Sequence, residues 1–135
     1  MADAVTSQTI LDGERLFIGK FTNISDGVGE TAVLKIDVST LSSNGWGKVC
    51  NGVKINKVWA QTQGMGVDII WDATTDLICE TIPADVAYLL DYSSFGGLSN
   101  NAGAGVTGDV LFTTAGASAG DRYTIILECI KTYAA

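Results

Sequence analysis

The chain has no histidine, one proline and only eight lysine and arginine residues, against fifteen aspartate and glutamate residues among 135. Histidine is the commonest general base and metal ligand, so its absence leads us to expect no catalytic, cofactor or metal site. The net charge of -7 repels nucleic-acid phosphates and anionic lipid. No apolar run approaches the roughly 20 residues of a membrane span. We therefore expect neither nucleic acid nor a membrane as a partner.

The segment from Met1 to Ala4 carries an acid and no basic residue, which is unlike a secretory signal and predicts synthesis in a cytoplasm. Three cysteines cannot all pair with one another, and in a reducing compartment buried thiols are expected. Among Cys50, Cys79 and Cys129, we expect Cys50 to be the most exposed, but no histidine is present to activate it.

Sixteen glycines separate segments rich in valine, isoleucine and threonine, a pattern typical of strands and turns. The mass of 14.1 kDa suits one domain, residues 1–135. We predict an all-β fold, an antiparallel β-sandwich of jelly-roll or immunoglobulin-like order. The eight predicted strands cover residues 5–11, 14–24, 31–38, 53–63, 67–72, 76–82, 109–115 and 122–133.

Local patterns refine several strands. Residues 1–12 form an N-terminal arm or edge strand, and the Asp12-Gly13 turn predicts pairing of residues 8–10 with residues 15–17. In residues 31–38 the alternation places Leu34 in the core and Lys35 in water. Residues 53–63, 67–72 and 76–82 form a predicted meander. A β-bulge near Asn56-Lys57 keeps the apolar side chains of the first of these strands on one face.

Three segments lack a clear strand pattern. Residues 83–92 form a short helix or a buried strand, because Pro83 suits a first helical turn and Val86, Leu89 and Leu90 share a helical face. Residues 93–108 are the most polar and glycine-rich part of the chain and form a long mobile loop. Residues 39–52 make an excursion over the surface, with Trp46 as its anchor.

Carboxylates offer the best case for chemistry. Asp68, Asp72, Asp76 and Glu80 fall on neighbouring predicted strands, where two of them can approach for acid-base work or for binding a hard cation. A solvated sheet face is the simpler interpretation of the same residues. The letters of residues 103–108 match a dinucleotide fingerprint, but a polar loop precedes them and a strand follows, which is the wrong context.

The tryptophans and the last strand are the candidates for recognition. Trp46, Trp59 and Trp71 are able to stack on sugar rings; we assign Trp71 to the core and Trp46 to the surface. The last strand is apolar on both faces, so it is central or covered by a neighbouring subunit. A mean hydropathy of +0.27 leaves apolar residues for subunit contacts and predicts a homo-oligomer. The candidate interaction surface comprises Trp46, Tyr123, Ile126 and Ile130.

Several features together resemble the small virion proteins of tailed bacteriophages, particularly capsid decoration (cement) proteins. These features are the acidic start, the histidine-free body rich in Gly, Ala and Thr, the loop 98–105 and the late strand 121–128. The resemblance implies a non-enzymatic protein made in the bacterial cytoplasm and located on the capsid exterior. There it binds the major capsid protein, with a trimer favoured, and stabilises the head.

Two other functions stay open. One is a tail or fibre component of the same kind of particle, and the other is a small glycan- or protein-binding β-sandwich module. In the virion interpretation, the predicted edge strands at residues 5–11 and 31–38 are the donors for β-augmentation of a partner sheet.

Overall fold

The computed structural model describes residues 3–133, which form nine strands and two single-turn 3-10 helices. The strands are β1 Ala4–Asp12, β2 Leu16–Ile24, β3 Val33–Ile36, β4 Cys50–Gln63, β5 Gly66–Trp71, β6 Leu77–Ile82, β7 Ala87–Asp91, β8 Val110–Ala115 and β9 Arg122–Tyr133. The short helices are Val38–Thr40 and Ser93–Phe95. Over this described part of the chain, no helix is long and apolar enough to cross a membrane.

Two antiparallel sheets form a β-sandwich, as the composition predicts. One sheet has the order β1-β2-β9-β4-β7 and the other the order β3-β8-β5-β6. Strands pair in a nested fashion, β2 with β9, β3 with β8, β4 with β7 and β5 with β6. That nesting is the winding of a jelly roll, with β1 added at one edge, so the jelly-roll alternative is confirmed over the immunoglobulin-like one.

The core lies between β4 and β9 of one sheet and β5 and β8 of the other. In β4 the register shifts between Ile55 and Lys57, which is the predicted bulge at Asn56. Because of this extra residue, Val58 lies on the same inner face as Ile55, and both are buried. Trp71 at the end of β5 is also in the core, as predicted.

The first hairpin forms, but its predicted register is wrong. Gln8 pairs with Lys20 and Asp12 with Phe17, so residues 13–15 form the loop. The amide of Gly13 donates to the carbonyl of Leu16 at 2.9 Å. A two-residue turn at Asp12-Gly13 would place Asp12 differently, and in this fold the Asp12 carboxylate accepts a hydrogen bond from Lys131.

The alternation predicted for residues 31–38 is wrong at β3. The register shifts between Leu34 and Ile36, so Lys35 is buried while Leu34 is exposed. The Lys35 ammonium lies 2.6 Å from Glu30, whose other oxygen accepts a 2.5 Å hydrogen bond from the hydroxyl of Tyr123 on β9. A buried charge needs such a partner, and here the carboxylate joins the two sheets through the core.

The predicted meander holds for β5 and β6 but not for β4. After β4 the chain turns at Gly64, with φ +81°, and crosses through buried Met65 into the opposite sheet. Glycine suits this crossing because its φ lies in the left-handed region. The alternation of apolar and polar residues does not reveal such a change of sheet, because a strand shows the same alternation whether it pairs with the preceding strand or joins the opposite sheet.

Residues 83–92 do not form the helix considered for them. They contain β7, which pairs with β4 at the sheet edge and is largely exposed, so the alternative of a strand is confirmed but its predicted burial is wrong. Residues 96–109 lie outside the nine strands. Leu98 nevertheless exchanges two backbone hydrogen bonds with Ile55, at 2.7 and 3.1 Å, which tie the loop to β4.

Candidate functional site

The outer face of the five-stranded sheet carries an exposed aromatic ring, Trp59 of β4. Its neighbours Val58 and Ala60 are buried, so Trp59 faces outward, and 37% of its surface is exposed. Ile126 of β9 pairs with it on one side and Leu89 of β7 on the other. The result is a flat apolar strip across three strands.

A cleft of about 400 Å³ opens next to this strip, at the end of β4 and the start of β9. Gln61 and Gln63 follow Trp59 at two-residue steps along the same face, and they line the cleft with Thr124 and Arg122 of β9. At about 3.3 Å per residue, Trp59 and Gln63 are about 13 Å apart along β4. An aromatic ring therefore leads into a cleft with amide, hydroxyl and guanidinium groups.

The far wall of the cleft is the loop between β6 and β7, and hydrogen bonds hold it in place. The hydroxyl of Thr62 donates to the carbonyl of Pro83 at 2.8 Å and accepts from the amide of Val86 at 3.2 Å. Asp85 adopts a φ of +60°, and its carboxylate accepts from the amide of Gly64 at 2.9 Å. These contacts make the wall a preformed part of the cleft, as ligand sites usually are.

The charged groups at the cleft balance one another. Arg122 and Asp85 both line it. The Nε–H of Arg122 donates to the carbonyl of Gly120 at 3.3 Å, which orients the guanidinium group. One cation and one anion beside two glutamines give a surface that donates and accepts hydrogen bonds with no excess of either charge.

The second exposed tryptophan, Trp46, projects from the loop before β4, and 88% of its surface is exposed. Hydrogen bonds order the backbone of this loop on both sides of Trp46. The side-chain oxygen of Asn44 accepts from the amides of Trp46 and Lys48, both at 2.9 Å, and the amide of Gly45 donates to Glu14 at 2.7 Å. Trp46 is thus a surface residue as predicted, but it is not the anchor of its segment.

The anchor of this loop is Lys131 of β9. Its buried ammonium donates to Asp12 at 2.7 Å, to the carbonyl of Gly13 at 2.9 Å and to the carbonyl of Ser42 at 2.8 Å. Burial by itself raises the pKa of Asp12, but hydrogen bonds from Lys131 and Ser42 outweigh it and lower that pKa. Burial likewise opposes the charge on Lys131, yet its bond to Asp12 raises the Lys131 pKa. One ammonium therefore joins the first hairpin, the Trp46 loop and the last strand.

The structure separates the four residues of the predicted interaction surface. Ile126 and Ile130 lie on the outer face of β9, Ile126 directly beside Trp59. Trp46 lies not on β9 but on the loop before β4, which Lys131 joins to the end of β9. Tyr123 is only 2% exposed, so it is not a surface residue. Its ring packs edge-on against Phe112 in the core, and burial together with Glu30 raises its pKa.

The strand β9 is central in its sheet, between β2 and β4, which explains why both of its faces are apolar. Sequence reasoning named Trp59 among the three tryptophans able to stack on sugar rings but did not place it, and the structure places it on the outer sheet face. Its position beside a cleft depends on the pairing of β4 with β9 and on the loop before β7, and neither is visible in the order of residues. Parity alone, after the bulge at Asn56, places Trp59 opposite the buried Val58.

Three of the four acidic residues considered for chemistry make separate local hydrogen bonds, and Asp68 lies on β5 between Thr81 and Thr113 of the neighbouring strands. Asp76 accepts from the amide of Ala73 at 3.1 Å, Asp72 from the hydroxyl of Thr107 at 2.8 Å, and Glu80 from the hydroxyl of Tyr92. Among residues 3–133, no three acidic or cysteine side chains form a cluster suited to a metal ion.

The prediction for the cysteines is wrong in one respect. Cys50 is buried, as Cys129 is, whereas Cys79 is the partly exposed one. Cys50 is the first residue of β4, and its thiol donates to the carbonyl of Gly52, so it faces inward. Burial and the charge of Glu80 raise the pKa of Cys79 to about 12, which keeps that thiol neutral.

No protein-family model matches the chain, and no curated protein matches its sequence. Among solved structures, the chain is similar to a mutant of CBM29-2, a family 29 carbohydrate-binding module. The two share 13% sequence identity, with a TM-score of 0.37 over 96% of this chain and 92% of that one.

Proposed function

We propose that the chain is a non-enzymatic binding module whose outer sheet face takes a neutral glycan. The observation that carries the proposal is the alignment of exposed Trp59 with the preformed cleft of Gln61, Gln63, Thr124 and Arg122. A sugar ring has one apolar face and a rim of hydroxyl groups. It therefore suits a flat aromatic ring beside paired donors and acceptors.

The shape of the surface favours an extended ligand. Trp59 and Gln63 are about 13 Å apart along β4, and the cleft of about 400 Å³ lies at one end of that line. An oligosaccharide spans such a surface with one ring on Trp59 and the next residues over the amides. Cavities of roughly this volume are typical of small-molecule sites.

The charges favour a neutral glycan over an acidic one. Arg122 and Asp85 balance each other at the cleft, and the chain as a whole carries -7. That net charge disfavours the approach of polyanions. Uronic-acid and sulfated glycans are therefore expected to bind more weakly than uncharged hexose chains.

The proposal is tested by calorimetry against a panel of neutral gluco-, galacto- and manno-oligosaccharides, with sulfated glycans for comparison. Trp59→Ala is expected to weaken binding of the best ligand at least about 30-fold, as the loss of an aromatic hot spot does. Trp46→Ala is the matched control, since it also removes an exposed indole, and is expected to bind as the wild type does. Equal loss in both variants, or no binding by the wild type across the panel, contradicts the proposal.

We also propose capsid decoration as a second candidate function, because of the edge strand β1. Strand β1 pairs only with β2, so its other edge is free, and Val5, Ile10 and Leu11 are exposed apolar residues. A long exposed edge without charges between Ala4 and Leu11 is suited to pairing with a strand of another protein. The major capsid protein is the partner that this function requires.

This second candidate predicts saturable co-sedimentation with expanded phage heads. Val5→Lys places a charge on the free edge and is expected to weaken that binding without affecting glycan binding. Lys20→Met, on the neighbouring paired strand β2, is the control. Absence of co-sedimentation at saturating protein rules out decoration and leaves the glycan proposal unaffected.

A further inference from the structure

A pocket with largely apolar walls lies at the side of the sandwich, where the edge strand β6 of one sheet faces the loop that follows the edge strand β7 of the other. It has a volume of about 580 Å³ and lies between the start of β6 and the loop after Ser93–Phe95. Leu77, Ile78, Phe95 and Leu98 line it, and the first three are exposed. An open apolar pocket rimmed by polar residues is typical of a protein contact site.

The pocket has a counterpart elsewhere on the same chain. Trp46 is the most exposed large apolar side chain of the described residues. The hydrogen bonds of Asn44 and Glu14 fix the backbone that carries it, and Lys131 fixes the base of its loop. A preordered aromatic residue loses little conformational entropy on docking, and tryptophan is the residue most enriched at the energetic centre of interfaces.

Charges of opposite sign lie beside the two features. Lys48 lies two residues after Trp46, whereas Asp76 and Glu80 flank the pocket-lining residues Leu77 to Cys79. The Glu14 carboxylate at the Trp46 loop already accepts from the amide of Gly45. The neutral Cys79 thiol adds to the apolar wall. Two copies with a net charge of -7 each repel one another at long range, so a self-contact needs such a local attraction.

We propose that Trp46 of one copy docks into the Leu77-Ile78-Phe95 pocket of a second copy. The pocket volume is ample for an indole, and the two patches are present on every copy. A contact between two different patches either repeats around a closed ring or is exchanged reciprocally within a pair. The homo-oligomer expected from the sequence is then held together by as many Trp46 contacts as it has copies, which means two contacts in a reciprocal pair.

Two variants separate the two sides of this contact. Trp46→Ala removes the inserted ring and leaves the pocket unchanged. Ile78→Glu places a charge in the pocket and leaves the ring unchanged. Both positions are exposed, so circular dichroism is expected to show folded protein in each case. Trp59→Ala is the control, because it removes an exposed tryptophan that belongs to the other surface.

Sedimentation velocity over a hundredfold dilution measures the outcome. The wild type and Trp59→Ala are expected to self-associate with the same dissociation constant, and each of the other two variants to raise it at least about 30-fold. An equimolar mixture of Trp46→Ala and Ile78→Glu is expected to recover a two-chain species, because one intact ring then meets one intact pocket.

A wild type that stays monomeric overturns the inference, and so does a Trp46→Ala variant that associates normally. A mixture in which both variants stay monomeric also overturns it, since a contact between the two patches must be restored there. None of these outcomes bears on the glycan proposal, which uses Trp59 and the cleft at the end of β4, lined by other residues.

Discussion

Replacement of Lys131 by methionine tests how the Trp46 loop is held. The ammonium group is fully buried and donates to three neighbours, Asp12 and the carbonyls of Gly13 and Ser42. Methionine fills most of the same volume but leaves those oxygens without their donor. Removal of one partner of a buried ion pair costs about 3–5 kcal/mol. Because 24% of the Asp12 side chain is exposed and water can reach it, we expect the lower end, about 3 kcal/mol.

Urea unfolding at pH 7 measures this loss, provided that the slope against urea stays the same as in the wild type. Lys54→Met, on the neighbouring strand β4, is the control and is expected to change stability by less than about 0.5 kcal/mol. Amide exchange reports the local effect, with faster exchange expected at Gly45 in the Lys131 variant. A loss below about 1 kcal/mol, or unchanged exchange at Gly45, refutes the role assigned to Lys131.

Three further predictions concern the fold. Lys35→Met leaves Glu30 buried without its cation, and urea unfolding should show a loss of about 3 kcal/mol, whereas wild-type stability would contradict the ion pair. Gly108→Ala should cost clearly more than Gly47→Ala, for which about 1–2 kcal/mol of left-handed strain is expected. Both glycines have positive φ, but an added Cβ at Gly108 meets a backbone oxygen at 2.2 Å and at Gly47 meets nothing within 4 Å; equal melting temperatures would be inconsistent with this. Because the pKa of Asp12 is lower in the folded protein than in the unfolded chain, ionised Asp12 stabilises the fold at every pH above the unfolded-state pKa. This contribution disappears as the pH falls below about 4. Asp12→Asn should therefore lose less stability than the wild type between pH 6 and pH 3, and parallel profiles would argue against it.

The sequence predicts much of the fold because the strongest signals are local. Eight of the nine strands follow from β-branched segments between glycines, and the parity change between Ile55 and Val58 reveals the bulge at Asn56. Trp71 is assigned to the core by the same alternation. The ninth strand, β7, is short and exposed, so its apolar residues also fit a helical face.

The errors arise where distant contacts decide local structure. Lys35 is buried because Glu30 and Tyr123 provide partners from outside its strand, and no alternation rule contains that information. In the observed register of the first hairpin, Asp12 contacts Lys131, which is more than a hundred residues away in the chain.

The candidate site is also a product of long-range pairing. Trp59 becomes significant only when β9 and β7 pair on either side of it and the loop at Asp85 closes the cleft. The jelly-roll winding does not select the function either, because jelly rolls occur in both viral capsid proteins and lectins. The surface residues, and not the fold, therefore distinguish these functions.

The most direct test of the glycan proposal is a two-dimensional NMR titration that follows the three tryptophan indole N–H signals. Each reports a different place, since Trp59 lies on the outer sheet face, Trp46 on its loop and Trp71 in the core. With the best neutral oligosaccharide, we predict a saturable shift of the Trp59 signal, together with the side-chain amides of Gln61 and Gln63, while Trp46 and Trp71 stay in place. A shift confined to Trp46, or no saturable shift with any neutral oligosaccharide, would contradict the account.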